Sequence, residues 1–237
     1  MTKPTWRLEV AGVDAVTLRL FERIDPANMP WIAAATEQLR SAFGADLIDL
    51  VPSYTTVLVH YDVLSLDAGQ ACALIRQALD NLEPVKAQAG RERLLPTWYD
   101  TRVGPELAVL AARSGLSIAD VIVRHSQLTY QVFALGFAPG FAFMGLVDEA
   151  LACPRLNTPR QRIASGSVGI AERQTAAYPA ASPGGWNIIG RTPVRLFDLN
   201  VAGYSLLQPG DQVRFVPIER DEFLRLGGDD TPLATAP

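Results

Sequence analysis

Three short runs between residues 125 and 198 constrain this chain more than any other feature: GFAPGF (136–141), GSVGIA (166–171) and SPGGWNIIGRTP (182–193). They set Gly and Pro beside single aromatics and isolated arginines. Glycine is required where the backbone takes positive φ or where another group must come close to it. A plain solvent loop does not need so many apolar residues. Either these glycines mark only the bulges and corners of a β-rich core, or the turns they build also carry a ligand.

Composition narrows what such turns can belong to. The 237 residues, 49% apolar and 19% charged, are ample for a sizeable core in one large domain or two ordinary ones. A net charge of −4 argues against a nucleic-acid or anionic-membrane partner. The longest apolar runs, such as DLIDLVPSYTTVLVHY, are broken by Asp, Pro and Ser short of a membrane span. MTKPTWRLEV has no apolar signal core, so a cytoplasmic location is expected. Cys72 and Cys153 lack metal-type spacing and read as buried thiols. With His60 and His125 as the histidines, a Cys/His zinc site is not expected. Lys3 and Lys86 are the lysines, which leaves none in the organising stretch to form a Schiff base or carry a cofactor. No GxxxxGK[ST] or strand-to-helix GxGxxG loop is present, so any ATP is handled without them.

In chain order, WRLEVAGVDAVTLRL (6–20) alternates as two short strands around a Gly-Val-Asp turn. Asp25 and Pro26 open a helix through Ile32, Ala35, Leu39 and Phe43 that Gly44 stops. A strand pair bent at Pro52 and Ser53 follows over 46–62, then a second helix over 67–82 with Cys72, Ile75, Leu79 and Leu82 inward. This order predicts a small α+β domain resembling a split βαβ unit, with His60 packed or at a sheet edge. The charged interval EPVKAQAGRER (83–93) places the boundary between domains 1–86 and 87–237. A strand over 94–100, a helix begun by Pro105 and ended by Gly115, and a Ser117-capped helix over 118–123 come next. LTYQVFALGF, RIASGSVGIA, WNIIGRTPVRLFD and DQVRFVPI then read as strands of a closed or nearly closed β-barrel. The stretch after Arg225, LGGDDTPLATAP, is small and polar and is expected to fray.

Arg155, Arg160 and Arg162 cluster in CPRLNTPRQRI, and Arg191 follows SPGGW, with few acids nearby in sequence (Asp148, Glu149, Glu172). Guanidinium forks beside exposed backbone N–H groups bind carboxylate or phosphate, although such arginines can equally tie loops together through carbonyls. His125 lies at a helix-to-strand junction, where an imidazole can face a cleft, but no Ser or Cys partner suggests a triad. Gln174 and Thr175 suit an amide or urea-like ligand, or a turn.

The series YDTRVGPEL (99–107), RHSQLTYQVFALGFAPGFAFMG (124–145), PRLNTPRQRIASGSVGIAERQTAAYPAASPGGWNIIGRTPVRLFD (154–198) and QPGDQVRF (208–215) resembles the family of 5-oxoprolinase B subunits. That family is also described as allophanate hydrolase subunit 1 and includes an inhibitor of a sporulation histidine kinase. The resemblance is dense from Tyr99 onward and weak before it. It implies a small ferredoxin-like α/β domain followed by a cyclophilin-like β-barrel, without implying prolyl isomerase activity. It also implies a homologous barrel partner, the enzyme's C subunit, and a third chain of different fold, its A subunit. Together these would open 5-oxoproline to glutamate with ATP and Mg²⁺. The site positions it carries over are His125, Gly136, Phe137, Pro139, Gly140, Phe141, Arg155, Arg160, Gly166, Ser167, Gln174, Thr175, Pro183, Gly184, Gly185, Trp186 and Arg191.

In that picture Arg155, Arg160 and Arg191 stabilise anionic groups, and the GSVG and SPGGW backbones cradle phosphate. Gln174 and Thr175 orient the lactam, while His125 is an acid, a base or a bystander. The metal site would be completed by the partner, since no Asp/Glu cluster stands out here. Two departures from the family pattern are Phe143-Met144, where Tyr-Leu is common and a phenol is lost or moved, and Trp98 in place of Cys. Two other functions stay open. One is a barrel that docks on a histidine kinase's helices through aromatics such as Phe141 and Phe143. The other is an allophanate hydrolase or urea-carboxylase-type component served by biotin from another protein.

Overall fold

The computed structural model describes residues 3–85 and 90–234. The chain divides into two compact units, Met1–Gln88 and Ala89–Pro237. The boundary expected between residues 86 and 87 falls outside the described residues.

In the first unit, β1 (Arg7–Val10) and β2 (Ala15–Arg19) form a hairpin, followed by α1 (Met29–Phe43), β3 (Leu47–Pro52), β4 (Thr56–Tyr61) and α2 (Ala68–Leu79). The Asp25 carboxylate accepts the Ala27 N–H at 2.8 Å ahead of α1, and Gly44 ends that helix at φ +52°. Asp67 and Gln70 cap α2 reciprocally. The antiparallel sheet runs β1-β2-β4-β3. Because β4 lies between β2 and β3, the segment β2-α1-β3 is the expected split βαβ unit, and β1 fills the fourth position of a ferredoxin-like sheet from the preceding rather than the following chain. Val16, Leu18, Val57 and Val59 pack against Ile32, Leu39, Ile75 and Leu79 to form the core. His60 stands on the inner strand β4, paired with Ala15 and Asp49, and its Nε2 lies 3.1 Å from an Asp14 carboxylate oxygen.

The second unit begins with β5 (Glu92–Thr97), α3 (Glu106–Ser114), α4 (Ile118–Ser126), β6 (Tyr130–Leu135) and β7 (Ala142–Gly145). It continues with β8 (Arg160–Ile163), β9 (Ser167–Ala171), β10 (Gln174–Ala177), β11 (Ser182–Gly184), β12 (Asn187–Arg191), β13 (Gln212–Pro217) and α5 (Arg220–Arg225). Seven strands run β12-β9-β10-β7-β6-β13-β5, and the two edges meet where Trp98 and Arg191 exchange backbone hydrogen bonds of 2.8 and 2.9 Å. That pairing nearly closes the barrel, as the alternation and Gly corners predict.

Three sequence expectations need correction. The Ser117 helix runs past 123 to Ser126, because Val121 and His125, four residues apart, both face inward. RIASGSVGIA is two strands, of which β8 leaves the barrel to pair with β11. The stretch after Arg225 is, over its described residues 226–234, tied down rather than frayed: Leu233 donates to the Arg102 carbonyl at 2.9 Å, and buried arginines hold the Asp229, Thr231 and Ala234 carbonyls. Its small polar composition concealed these backbone anchors.

Candidate functional site

The turn between β6 and β7 closes through Gly136 N–H to the Phe141 carbonyl (3.2 Å) and Phe141 N–H to the Ala138 carbonyl (2.9 Å). Gly140, at φ +81°, lies so near the 196–197 backbone that a Cβ would sit 2.8 Å from Phe197 Cβ. The turn drives Phe141 inward and leaves Phe137 at φ +69° and 65% exposed, an uncommon conformation for an aromatic residue. Phe141 is the hub of an aromatic cage, with ring centroids 4.9 Å from Phe143, 5.2 Å from both Phe137 and Tyr178, and 5.7 Å from Trp186. Edge-to-face geometry dominates these pairs. Gly184 admits Tyr178, since a Cβ there would stand 2.4 Å from its hydroxyl.

A small pocket of about 80 Å³ opens over this cage, lined by Phe137, Phe141, Phe143, Tyr178, Trp186, Gly184, Gly185 and Arg155. Arg155 is exposed and supplies the cation of the lining. Burial pushes the Tyr178 phenol up to about 12, so it stays a neutral donor. Flat apolar walls with one guanidinium and one phenol suit a small ring that bears a carboxylate.

His125 is elsewhere, enclosed in the barrel rather than at a cleft. Its Nδ1 lies 2.7 Å from the Tyr99 hydroxyl and its Nε2 2.9 Å from Thr175 Oγ1, which in turn donates to the Gly169 carbonyl at 3.2 Å. One proton arrangement satisfies all three: Tyr99 donates to Nδ1, Nε2–H donates to Thr175, and Thr175 donates to Gly169. Burial pushes the imidazole down to about 3 and the Tyr99 phenol well up, which keeps both neutral. Phe215 and Tyr130 pack on the ring at 4.6 and 5.3 Å.

The arginines do not form a common bed. Arg160 is buried, paired with Glu106, and donates from Nε to the Ala234 carbonyl at 3.0 Å. Glu106 also accepts the Ile188 N–H at 2.9 Å, which locks the start of α3 to β12. Arg191 is buried and holds the carbonyls of Asp229 and Thr231. Of the three, Arg155 is the one that reaches the pocket.

Phe137, Phe141, Arg155, Gly184, Gly185 and Trp186 are therefore brought together, with Gly136 and Gly140 shaping their turn. Pro139 and Pro183 stand outside the lining. Gln174 is half-buried in the ladder opposite Gly145 and Ala171, and Thr175 points to His125 rather than to a ligand. Gly166 and Ser167 are buried beside Arg191, pair through their backbones with Tyr178 and stand outside the pocket lining, so GSVG and SPGGW do not make one cradle. Tyr178, Glu106 and Tyr99 are the residues that sequence reasoning missed. Tyr178 stands in the YP of the family series, and its phenol occupies the pocket that Phe143 enters without one. Among the described residues no three His, Cys, Asp or Glu side chains converge as a metal site. No helix among them is long and apolar enough to cross a membrane.

The family described as the carboxyltransferase domain, subdomain C and D, matches residues 6–207. The chain is 37% identical over 214 residues to the 5-oxoprolinase B subunit of Escherichia coli O157:H7, covering 89% of this chain and 95% of that protein. It is 33% identical over 228 residues to the corresponding B subunit of Bacillus subtilis (strain 168), covering 92% and 95% respectively. Among solved structures, Kluyveromyces lactis urea carboxylase superposes with a TM-score of 0.79 at 18% identity, covering 97% of this chain and 23% of that longer one, a likeness of fold alone. With the ferredoxin-like sheet, the nearly closed seven-stranded barrel and matches that run almost end to end, the chain belongs to the carboxyltransferase-domain family, in the branch of the 5-oxoprolinase B subunits.

Proposed function

We propose that this chain is the B subunit of a cytoplasmic, ATP-dependent 5-oxoprolinase, inactive without its partners, and that the pocket over Phe141 receives the lactam. The observation that carries the reading is the lining itself: an aromatic cage with a solvent-facing guanidinium, on a chain that covers 95% of the Escherichia coli relative. 5-Oxoproline is a small five-membered ring with one carboxylate. Its ring lies against the aromatic lining beside the exposed Phe137, its carboxylate pairs with Arg155, and the Tyr178 hydroxyl donates to the lactam oxygen.

Hydrolysis breaks the ring C–N bond. Water supplies hydroxyl to the carbonyl carbon and hydrogen to nitrogen, giving glutamate. Amide resonance makes that carbon a poor electrophile, so the reaction is coupled to ATP with Mg²⁺, which activates the amide oxygen. This chain's share is binding and orientation, with water restricted by the apolar walls. A homologous barrel, the C subunit, and a third chain, the A subunit, complete the nucleotide and metal sites.

The test is glutamate release from 5-oxoproline and ATP by this chain reconstituted with both partners, and with each component omitted in turn. Release that needs every component is expected. Equal release without this chain refutes the proposal, and no release from folded partners shifts the weight to carboxyl transfer or kinase binding.

A further inference from the structure

Residues 154–156, which carry Arg155, lie outside every helix and strand, so no ladder of their own sets the direction of that side chain. Their anchors come from neighbouring strands. Just before them, Cys153 pairs with Glu172 as an isolated antiparallel bridge. Just after Arg155, the Leu156 N–H donates to the Gly185 carbonyl at 2.7 Å. Between these two ties the Asn187 side chain, on β12 and 8% exposed, donates from Nδ2 to the Pro154 carbonyl at 2.8 Å and to the Ile170 carbonyl at 3.2 Å. Both partners are acceptors, so the amide nitrogen with its two hydrogens is the atom that must face them. Ile170 stands opposite Asn187 in the β9–β12 ladder, which braces the amide on the barrel while its other hydrogen reaches the irregular segment. Gly185 and Trp186 line the pocket and Asn187 follows them directly. The run that builds the apolar wall therefore also holds the residues on either side of the cation.

We propose that Asn187 is a positioning residue for Arg155: its amide clamps the Pro154 carbonyl to the barrel and so fixes where the guanidinium stands over the aromatic cage. The inference deepens, and rests on, the reading of that pocket as the 5-oxoproline site. Asn187 touches no substrate and acts through Arg155. A segment ordered before substrate arrives loses little freedom when the carboxylate pairs with it, so loosening the clamp weakens binding and leaves the chemical step alone.

Asn187→Leu deletes the donor at similar size, and Asn187→Ala deletes it without bulk; two measurements on both variants test the proposal. Hydrogen exchange in the full chain reads the clamp without substrate: the Leu156 N–H is expected to exchange about tenfold faster than in the wild type, with the β9 and β12 amides unchanged. Steady-state kinetics of the reconstituted complex reads the consequence: KM for 5-oxoproline is expected to rise about tenfold with kcat held within about twofold, and the same substitution in an Arg155→Ala chain is expected to add nothing. Unchanged exchange at Leu156, or loss of folding in both variants, overturns the clamp. Faster exchange with an unchanged KM, or a rise in KM just as large in the Arg155→Ala chain, overturns the positioning role. Turnover that Arg155→Ala leaves intact sinks instead the reading of the pocket, and the exchange rates then decide the clamp by themselves.

Discussion

The barrel interior and the pocket at its surface draw on the same motifs and treat their polar groups in opposite ways. Inside, His125 has both ring nitrogens bonded and Glu106 holds Arg160 while it accepts from β12. At the surface, Arg155 and Phe137 stand exposed on a cage that is otherwise packed. The difference separates side chains that hold the fold from those with chemistry to offer. Groups whose hydrogen bonds are complete are costly to remove and inert toward ligand. Exposed groups on a rigid support are cheap to remove and available for binding.

Substitutions can break this division or sharpen it. The largest stability loss is expected for Glu106→Ala, which leaves the buried Arg160 guanidinium without its carboxylate, about 3–5 kcal/mol in urea unfolding. Phe141→Ala, at the hub of the cage, should cost a similar amount, about 3–5 kcal/mol, and also abolish the pocket. A loss below about 1 kcal/mol in both would show that the interior is not what holds the barrel.

Acid should find His125 next. Its folded value, about 3, lies below the ordinary 6.5, so the unfolded chain binds the proton first. Its contribution is complete above about pH 6.5 and is lost as pH falls from there toward 3, by up to roughly 4 kcal/mol. Unfolding free energy measured from about pH 7 to about pH 4 should show this slope, and His125→Gln should flatten it. Tyr99→Phe removes the donor to Nδ1 and should cost about 1–3 kcal/mol at neutral pH. The smallest effect on stability, within about 0.5 kcal/mol, is expected for Arg155→Ala, since the side chain is exposed.

Much of this arrangement is legible in the chain. Period-two alternation and Gly corners give the barrel, and Asp25, Asp67, Ser117 and Gly115 mark helix ends where the caps are found. The GFAPGF and SPGGW runs point to the pocket because the glycines that permit its turns are local. The arginines cannot be sorted from sequence, because their direction depends on partners distant along the chain: Glu106 is 54 residues from Arg160, and the carbonyls that hold Arg191 lie 38 and 40 residues on. For the same reason His125 reads as an exposed junction residue, although Tyr99 and Thr175 enclose it from 26 and 50 residues away.

The central claim is that Arg155 serves substrate and not the fold. Steady-state kinetics of the reconstituted complex with wild-type and Arg155→Ala chains, alongside their melting temperatures, tests it most directly. The account predicts a fall of roughly 100-fold in kcat/KM for 5-oxoproline, the loss of a charge-assisted pair, with melting unchanged. Turnover that survives the substitution intact would contradict it.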